Sequence, residues 1–430
     1  MKHTTNKIVS AQHAVPRLVQ PLSKGLGPMK QPLSAADIAA RGWNLLREDL
    51  SLPAAVLYEG KLAHNLQWMQ TFANTYGVKL APHGKTTMAP KLFARQMETG
   101  AWGITLATAH QTRVAYEHGI RRVLMANQLV GRQNMSKIAS LLEDPQFEFF
   151  CLVDSAQQIE LLGRFFQSRE QRLNVLLELG VDGGRTGVRD EKQLRGTLDA
   201  LSHWREQVAL AGVEVYEGIL QDEASIREFL RRATDVAGDL AREKRYHRSP
   251  AILSGAGSAW YDVVADVFSK ADLGEAFEIF LRPGCYLTHD VGVYRAAQQQ
   301  IMLRNPVAKS MSSTLVPALQ LWAYVQSVPE KEKAIIGLGK RDAAFDAGLP
   351  VPAMHYRPGN SGPLAAPSSW SLTHMMDQHA YLHIESGADI RVGDMLAFDI
   401  SHPCLTFDKW RYLAVLDSSF QVIDIVETFF

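Results

Sequence analysis

Lys85 lies in the stretch Ala81-Pro82-His83-Gly84-Lys85-Thr86-Thr87, where a short apolar run gives way to a Gly-containing turn. Partial burial there lowers a lysine's pKa and favours imine formation with an aldehyde. A solvated loop lysine has the same local sequence, so the reading depends on what else converges on it. His83, two residues earlier, is a candidate for assisting proton transfer, with a satisfied structural histidine as the alternative. Arg185 is flanked by glycines in Gly183-Gly184-Arg185-Thr186-Gly187, and a guanidinium held by such a turn can contact an oxyanion. Glu214 and Tyr216 share a strand face by alternation, with Glu217 opposite. Ser254-Gly255-Ala256-Gly257-Ser258 is a small-residue turn leading toward a helix, and its backbone N–H groups could cradle a phosphate. A lysine, an arginine, a buried acid and a phosphate-sized Gly/Ser nest around one opening are what pyridoxal phosphate requires. The lysine makes the Schiff base, the nest holds the phosphate, and the other two set the ring's electronics.

Another pair of donors stands far downstream. In Ile400-Ser401-His402-Pro403-Cys404-Leu405 an imidazole and a thiolate two residues apart, fixed by the intervening proline, can ligate one soft divalent ion. Two protein ligands leave positions open for water or substrate, which suits a catalytic site. The other cysteines, Cys151 and Cys285, have apolar neighbours and read as core thiols.

The elements that must position these residues follow from hydrophobic patterning. Strand-like runs occur at Val78–Pro82, Gly103–Ala107, Arg122–Asn127, Phe147–Val153, Leu173–Leu179, Val213–Glu217, Ala251–Ser254 and Phe277–Leu281. Helical stretches such as Pro90–Gly100, Ala156–Gln171, Glu191–Leu210 and Ser225–Tyr246 separate them. Strand–helix alternation implies parallel strands with right-handed crossovers, and eight units close into a (β/α)8 barrel with its chemistry at the carboxyl ends of the strands. A doubly wound open sheet is the alternative. After Tyr294 the texture changes. Leu319–Val328, Lys333–Gly339, His379–Glu385, Asp394–Ile400 and Arg411–Leu416 read as strands with few helical periods among them, while Gly348–Ser371 reads as a long irregular loop. The expected division is a barrel over residues 52–290, with residues 1–51 and 291–430 forming a mostly antiparallel β domain that carries the metal site.

Taken in order, His83-Gly84-Lys85-Thr86, Gly183-Gly184-Arg185-Thr186-Gly187-Val188, Arg282-Pro283-Gly284-Cys285-Tyr286 and His402-Pro403-Cys404 resemble the D-serine dehydratase-like family, which includes D-threonine aldolase relatives. These are fold-type III pyridoxal phosphate enzymes with an alanine racemase-like barrel. The run His83–Pro90 is most similar to the bacterial branch labelled amino acid deaminase. The resemblance implies that Lys85 is the Schiff-base lysine and that Arg185 faces the cofactor's ring oxygen. It also implies that Ser254, Gly255, Gly257 and Ser258 hold the phosphate with Tyr286 close by. His402 and Cys404 would bind Zn²⁺, with Mn²⁺ the other candidate. Aldolase relatives tend to carry a carboxylate at the second ligand position, so Cys404 points to a dehydratase. Many dehydratases have a tyrosine where aligned glycines place Glu214. A carboxylate there would keep the pyridine nitrogen protonated, unless Tyr216 does the job.

The expected reaction is β-elimination from a β-hydroxy D-amino acid such as D-serine or D-threonine, giving a 2-oxo acid and ammonia. Retro-aldol cleavage to glycine and an aldehyde is the alternative within enzymes, and a non-catalytic pyridoxal phosphate carrier the alternative outside them. Composition agrees with a globular enzyme. Of the 430 residues 46% are hydrophobic and 21% charged, which excludes a disordered chain. Forty-five basic residues balance forty-five acidic ones, without a basic run, so nothing points to nucleic acid. Apolar stretches are strand-sized, too short for a membrane span. Three cysteines fit a reducing compartment, and Met1–Leu22 has no apolar core or cleavage pattern, so a mature cytoplasmic N-terminus is expected. A homodimer is the expected assembly.

Overall fold

The computed structural model describes residues 17–273 and 277–430, so the expectation for the first sixteen residues lies outside the described residues. After β1 (Ala54–Tyr58), eight strands alternate with helices: β2 (Lys79–Leu80), β3 (Ile104–Leu106), β4 (Arg122–Gln128), β5 (Glu148–Val153), β6 (Leu173–Leu179), β7 (Val208–Val215), β8 (Ala251–Gly255) and β9 (Phe277–Leu281). They pair in parallel in the order β2-β9-β8-β7-β6-β5-β4-β3. The ring closes between β2 and β3 through a parallel bridge of His83 with Thr105. Trp102 N–H donates to Leu80 O at 2.7 Å and Thr105 N–H to Pro82 O at 2.8 Å across the same seam. This closure makes the sheet a (β/α)8 barrel rather than an open one.

Alternation sets the barrel's interior. Trp102, Phe150, Leu152, Leu176, Ile252 and Phe280 form an apolar plug, with Trp102 and Phe280 stacked at 4.3 Å between centroids. Two residues further along their strands, Glu178 and Ser254 face the same interior. Both are register partners of Glu214 on β7. The layer nearest the carboxyl ends is therefore polar. Outward residues of the same strands, such as Phe149, Cys151 and Val153, pack under the helices. Several of those helices begin at side-chain caps, Ser155, Asp190 and Asp222 each accepting from an N–H three residues on.

Two boundaries differ from expectation. The helix Glu191–His203 stops well short of Leu210. The chain turns through Gln207 N–H to Trp204 O at 2.9 Å and enters β7 at Val208. All eight residues of β7 are buried, and the strand ends at Val215. Tyr216 and Glu217 thus lie beyond the strand, and alternation does not govern them.

The second sheet contains β10 (Leu319–Glu330), β11 (Lys333–Ile336), β12 (Val351–Tyr356), β13 (Leu364–Ala365), β14 (Ser371–Met375), β15 (Ala380–His383), β16 (Met395–Asp399), β17 (Tyr412–Leu416) and β18 (Val422–Glu427). Its path is β13-β12-β16-β10-β1-β17-β18, with β11, β15 and β14 attached through β10. Apart from the parallel pair β1–β17, all pairs are antiparallel. β1 therefore belongs to this sheet although it falls within 52–290. Its partner Trp322, opposite Ala54, is distant in the chain. The stretch Gly348–Ser371, expected to be irregular, contains β12 and β13. Pro352 is accommodated because the register with β16 shifts there. The helix Val293–Arg304 is one element that the reading of residues 291–430 as a mostly antiparallel β domain does not name, and it buries only Gln298 and Ile301. Leu26, Ile38, Trp43 and Leu45 from the N-terminal segment pack against Val56, Trp322 and Met395 of the second sheet. Among the described residues no helix is long and apolar enough to cross a membrane.

Candidate active site

β2 is only two residues long, and its extension is tied to β9 by Ala81 N–H to Leu281 O at 2.9 Å and His83 N–H to Pro283 O at 3.3 Å. Gly84–Thr86 then forms a single 3₁₀ turn. A Cβ on Gly84 would stand 2.7 Å from Phe93 and 2.8 Å from Ile104, so glycine is required for the turn to seat against the core. Lys85 projects from it into the barrel mouth and remains exposed. Loss of hydration there lowers its pKa, and the Arg185 and Arg282 guanidiniums act in the same direction while Cys404 opposes them. The His83 imidazole is held well below its ordinary pKa by burial and by the charges of Lys85 and Arg282. It is therefore neutral, and its buried Nδ1 has no partner.

Arg185 lies with its guanidinium 4.5 Å from the centre of the Tyr216 ring. Below them Glu178 accepts from the Thr186 hydroxyl at 2.6 Å and from Gln128. Glu214 is ion-paired with Arg282, both fully buried. Arg282 Nη2 also donates to Val215 O at 2.9 Å. Burial, opposed by Arg282, pushes the Glu214 carboxyl up to about 8. Its Oε2 is buried without a partner, as is Arg282 Nε. The Arg282 partner is invisible to periodicity because it follows β9, two strands along the ring from β7 with β8 between them.

The Ser254–Ser258 turn does gather donors on an anion, but that anion belongs to the chain. Ala256 N–H and Gly257 N–H donate to the buried Glu217 carboxylate at 3.0 and 2.9 Å. Ser254 Oγ donates to Phe280 O at 3.2 Å. The hydroxyl of Ser258 is different: it accepts from Gly284 N–H and Cys285 N–H, each at 3.2 Å, where the two loops meet. Of the residues expected at the phosphate, Ser258 thus lies where the loops after β8 and β9 meet, with these two amides already donating to its hydroxyl. Tyr286 is turned into the core, where its hydroxyl accepts from Gln96 Nε2 at 3.2 Å.

His402 and Cys404 follow β16 and reach the same mouth. Cys404 Sγ is 3.5 Å from Thr86 Oγ1, on the residue next to Lys85. His402 Nδ1 is 2.8 Å from Asp346 Oδ2. Hydrogen bonds with Cys404 and Asp346 raise His402 to about 9. Contacts with Cys285 and His402 favour the thiolate at Cys404. Cys285 is buried as expected, yet it is not an ordinary core thiol, for its Sγ lies 3.8 Å from Cys404 Sγ. Tyr294 stands beside it, its pKa raised by the neighbouring Cys285 charge and by burial. Asp290 accepts from Gly292 N–H at 2.8 Å and Tyr294 N–H at 3.2 Å, and its Oδ2 is buried without a partner. Asp346, Asp290 and Tyr294 have no motif around them that would single them out.

These residues fit the two groups that the sequence implies. Glu214 Oε2 and His83 Nδ1 are orphaned polar atoms in a mouth that also presents a lysine amine and an arginine, as a polar aromatic cofactor requires. Imidazole and thiolate are a donor set for a soft divalent ion, and Asp346 orients the imidazole as carboxylates do behind metal-bound histidines.

The family described as "Alanine racemase, N-terminal domain" matches residues 59–287, more than half of the chain. The one described as "Putative serine dehydratase domain" matches residues 318–416. D-threonine aldolase from Arthrobacter sp is 25% identical over 371 residues, 85% of this chain and 88% of that protein. The crystal structure of D-threonine aldolase from Filomicrobium marinum superposes with a TM-score of 0.73 at 24% identity, covering 90% of this chain and 97% of that one. D-threo-3-hydroxyaspartate dehydratase from Delftia sp. HT23 does so with a TM-score of 0.71 at 21% identity, covering 90% and 99%. The chain belongs to the alanine racemase N-terminal domain family, in the form that joins this barrel to a serine dehydratase-type β domain.

Proposed function

We propose that the protein is a pyridoxal phosphate- and metal-dependent lyase that eliminates water from a β-hydroxy D-amino acid such as D-serine or D-threonine, releasing a 2-oxo acid and ammonia. The observation that carries this reading is the His402–Cys404 pair with its Asp346 partner, seated against the turn that carries Lys85. When bound, pyridoxal phosphate supplies an electron sink for charge at the α-carbon, and a divalent ion supplies a Lewis acid for the departing β-oxygen.

The chain's own residues do the rest. Lys85, the attachment point for the cofactor, has its pKa lowered by burial, which favours the neutral Nζ that takes the α-proton. Glu214, with Oε2 unpaired and its carboxyl pushed up to about 8, is the group to share a proton with the ring nitrogen. Arg185 presents its guanidinium beside Tyr216 for the ring oxygen, and the Ser254–Ser258 turn would hold the phosphate, with the Ser258 hydroxyl, which accepts from Gly284 and Cys285 N–H, left to donate to it. The apolar plug beneath keeps water from the barrel floor. His402 and Cys404 would hold the ion with positions left open for substrate, and neutral His83 is a proton acceptor at the mouth. The names of the relatives above support a D-β-hydroxy amino acid. The metal-ligand pair argues against a mere carrier, which has no use for one. Three free cysteines support a reducing compartment, and a homodimer is the assembly proposed.

Retro-aldol cleavage is the second reading, favoured by the D-threonine aldolase match over most of both chains. Product analysis separates the two on a panel of D- and L-β-hydroxy amino acids, with and without chelator. Ammonia plus a 2-oxo acid from a D-substrate, lost on chelation and reduced by about a thousandfold or more in Lys85→Ala, supports the dehydratase. Glycine plus an aldehyde moves the chain to the aldolase, and full turnover after exhaustive metal removal sinks the metal's role.

A further inference from the structure

We propose that Cys285 is a third protein ligand of the ion held by His402 and Cys404, making a one-histidine, two-cysteine site with one position left for the substrate's β-oxygen. This rests on the metal-dependent reading above and specifies the donors.

The two thiols come from different sheets. Cys285 follows β9 of the barrel, in the 3₁₀ turn Cys285–Leu287. Cys404 opens the short helix Cys404–Phe407 of the β domain. Nothing in local sequence brings them together, yet their sulfurs stand 3.8 Å apart. Two zinc–sulfur bonds of about 2.3 Å at a tetrahedral angle put their sulfurs about 3.8 Å apart as well. The remaining donors are arranged accordingly. Asp346 engages His402 at Nδ1, 2.8 Å away, which leaves Nε2 as the ligating atom. Thr86 Oγ1, 3.5 Å from Cys404 Sγ, is placed to steady the thiolate. A Cys₂His set plus one open position is a recurring arrangement of catalytic zinc, and two thiolates select zinc over manganese. In this conformation no three His, Cys, Asp or Glu side chains among the described residues are gathered tightly enough to bind one ion. Binding through all three donors therefore requires His402 or Cys285 to turn its side chain onto the ion. Once made, the third bond pins the barrel to the β domain directly over Lys85.

The test is X-ray absorption of the zinc-loaded holoenzyme, which counts sulfur against nitrogen and oxygen neighbours, paired with zinc affinity by chelator competition. Wild type is expected to show two sulfurs, Cys285→Ser one, and Cys151→Ser, a buried thiol remote from the site, two. Zinc affinity should fall more than tenfold in Cys285→Ser. Retention of the cofactor's visible absorbance shows that each variant is folded. One sulfur in wild type, with affinity unchanged in Cys285→Ser, overturns the third ligand while leaving the His402–Cys404 site standing. No zinc uptake by wild type overturns the metal-dependent reading and the third ligand with it.

Discussion

His289 shows how much a single side chain near the mouth governs. It lies four residues beyond Cys285, its N–H donates to Cys285 O at 2.7 Å, and its backbone φ is +49°. Burial and the charge of Arg295 lower its pKa from 6.5 to about 4. The unfolded chain therefore binds a proton before the folded one does. Above pH 6.5 the ring is neutral in both states and its contribution is intact. As pH falls from about 6.5 to about 4 that contribution is lost, amounting to about 3 kcal/mol in full. His289→Asn, a residue that tolerates positive φ, is expected to be less stable at pH 8 because it leaves a gap, but to lose less between pH 6.5 and 4. Denaturant unfolding across that range measures it, and an unchanged slope would count against the assignment. The residues whose role depends on such surroundings are the ones that sequence reading recovers least. Lys85, Arg185, His402 and Cys404 are legible because each sits in a short motif. Asp346, Asp290, Tyr294 and the Cys285–Cys404 approach are not, because the chain crosses from distant segments to make them. Alternation says nothing about Glu217, since β7 ends two residues before it and its carboxylate is fixed by the Ala256 and Gly257 amides.

Apart from Glu214 on β7, the chemistry is carried by residues just beyond the strands, and the Gly84 turn is the most exacting of their settings. Gly84→Ala places a methyl against Phe93 and Ile104 at 2.7 and 2.8 Å, an overpacking that costs about 1–3 kcal/mol. Relief comes from moving the turn, which carries Lys85. The variant is expected to lose stability by that amount and, in addition, to load pyridoxal phosphate poorly, read as reduced visible absorbance per chain. Normal loading with only a stability loss would show that the turn's seating does not matter to Lys85. The other elements explain why the barrel was readable and the β domain less so. Strands such as β6 and β7 are buried on both faces and appear as continuous apolar runs. β12 carries Pro352 at a register shift, and the helix Val293–Arg304 leaves Val293 and Leu303 exposed, so neither has the periodicity that would announce it. β1 has strand composition, but its choice of sheet is made by β10 and β17, hundreds of residues downstream.

At the scale of the whole molecule the two domains meet at the mouth, and a metal bound there is linked to the stability of their docking. A ligand that binds only the folded chain at a hundredfold its Kd adds about 2.7 kcal/mol. For 430 residues, about 2.1 cal/mol/K per residue gives an unfolding entropy of about 0.9 kcal/mol/K. Zinc at that concentration is therefore expected to raise the Tm of metal-free holoenzyme by about 3 °C. Asp346 should govern how much of this survives. Its side chain is nearly half exposed and contacts His402 at 2.8 Å, so Asp346→Ala disturbs little of the fold while releasing the imidazole. Loss of such an outer partner weakens metal binding by about 10–100-fold. At the same zinc concentration the stabilisation then falls to between about 0.4 and 1.4 kcal/mol, or about 0.5–1.5 °C. The Tm without metal should be nearly that of wild type. Calorimetry with and without zinc reads both quantities in one series, independently of turnover. A full 3 °C shift in Asp346→Ala would mean that the imidazole needs no orienting carboxylate. No shift in wild type would mean that zinc does not bind the folded chain at that concentration, and would count against the metal-dependent reading.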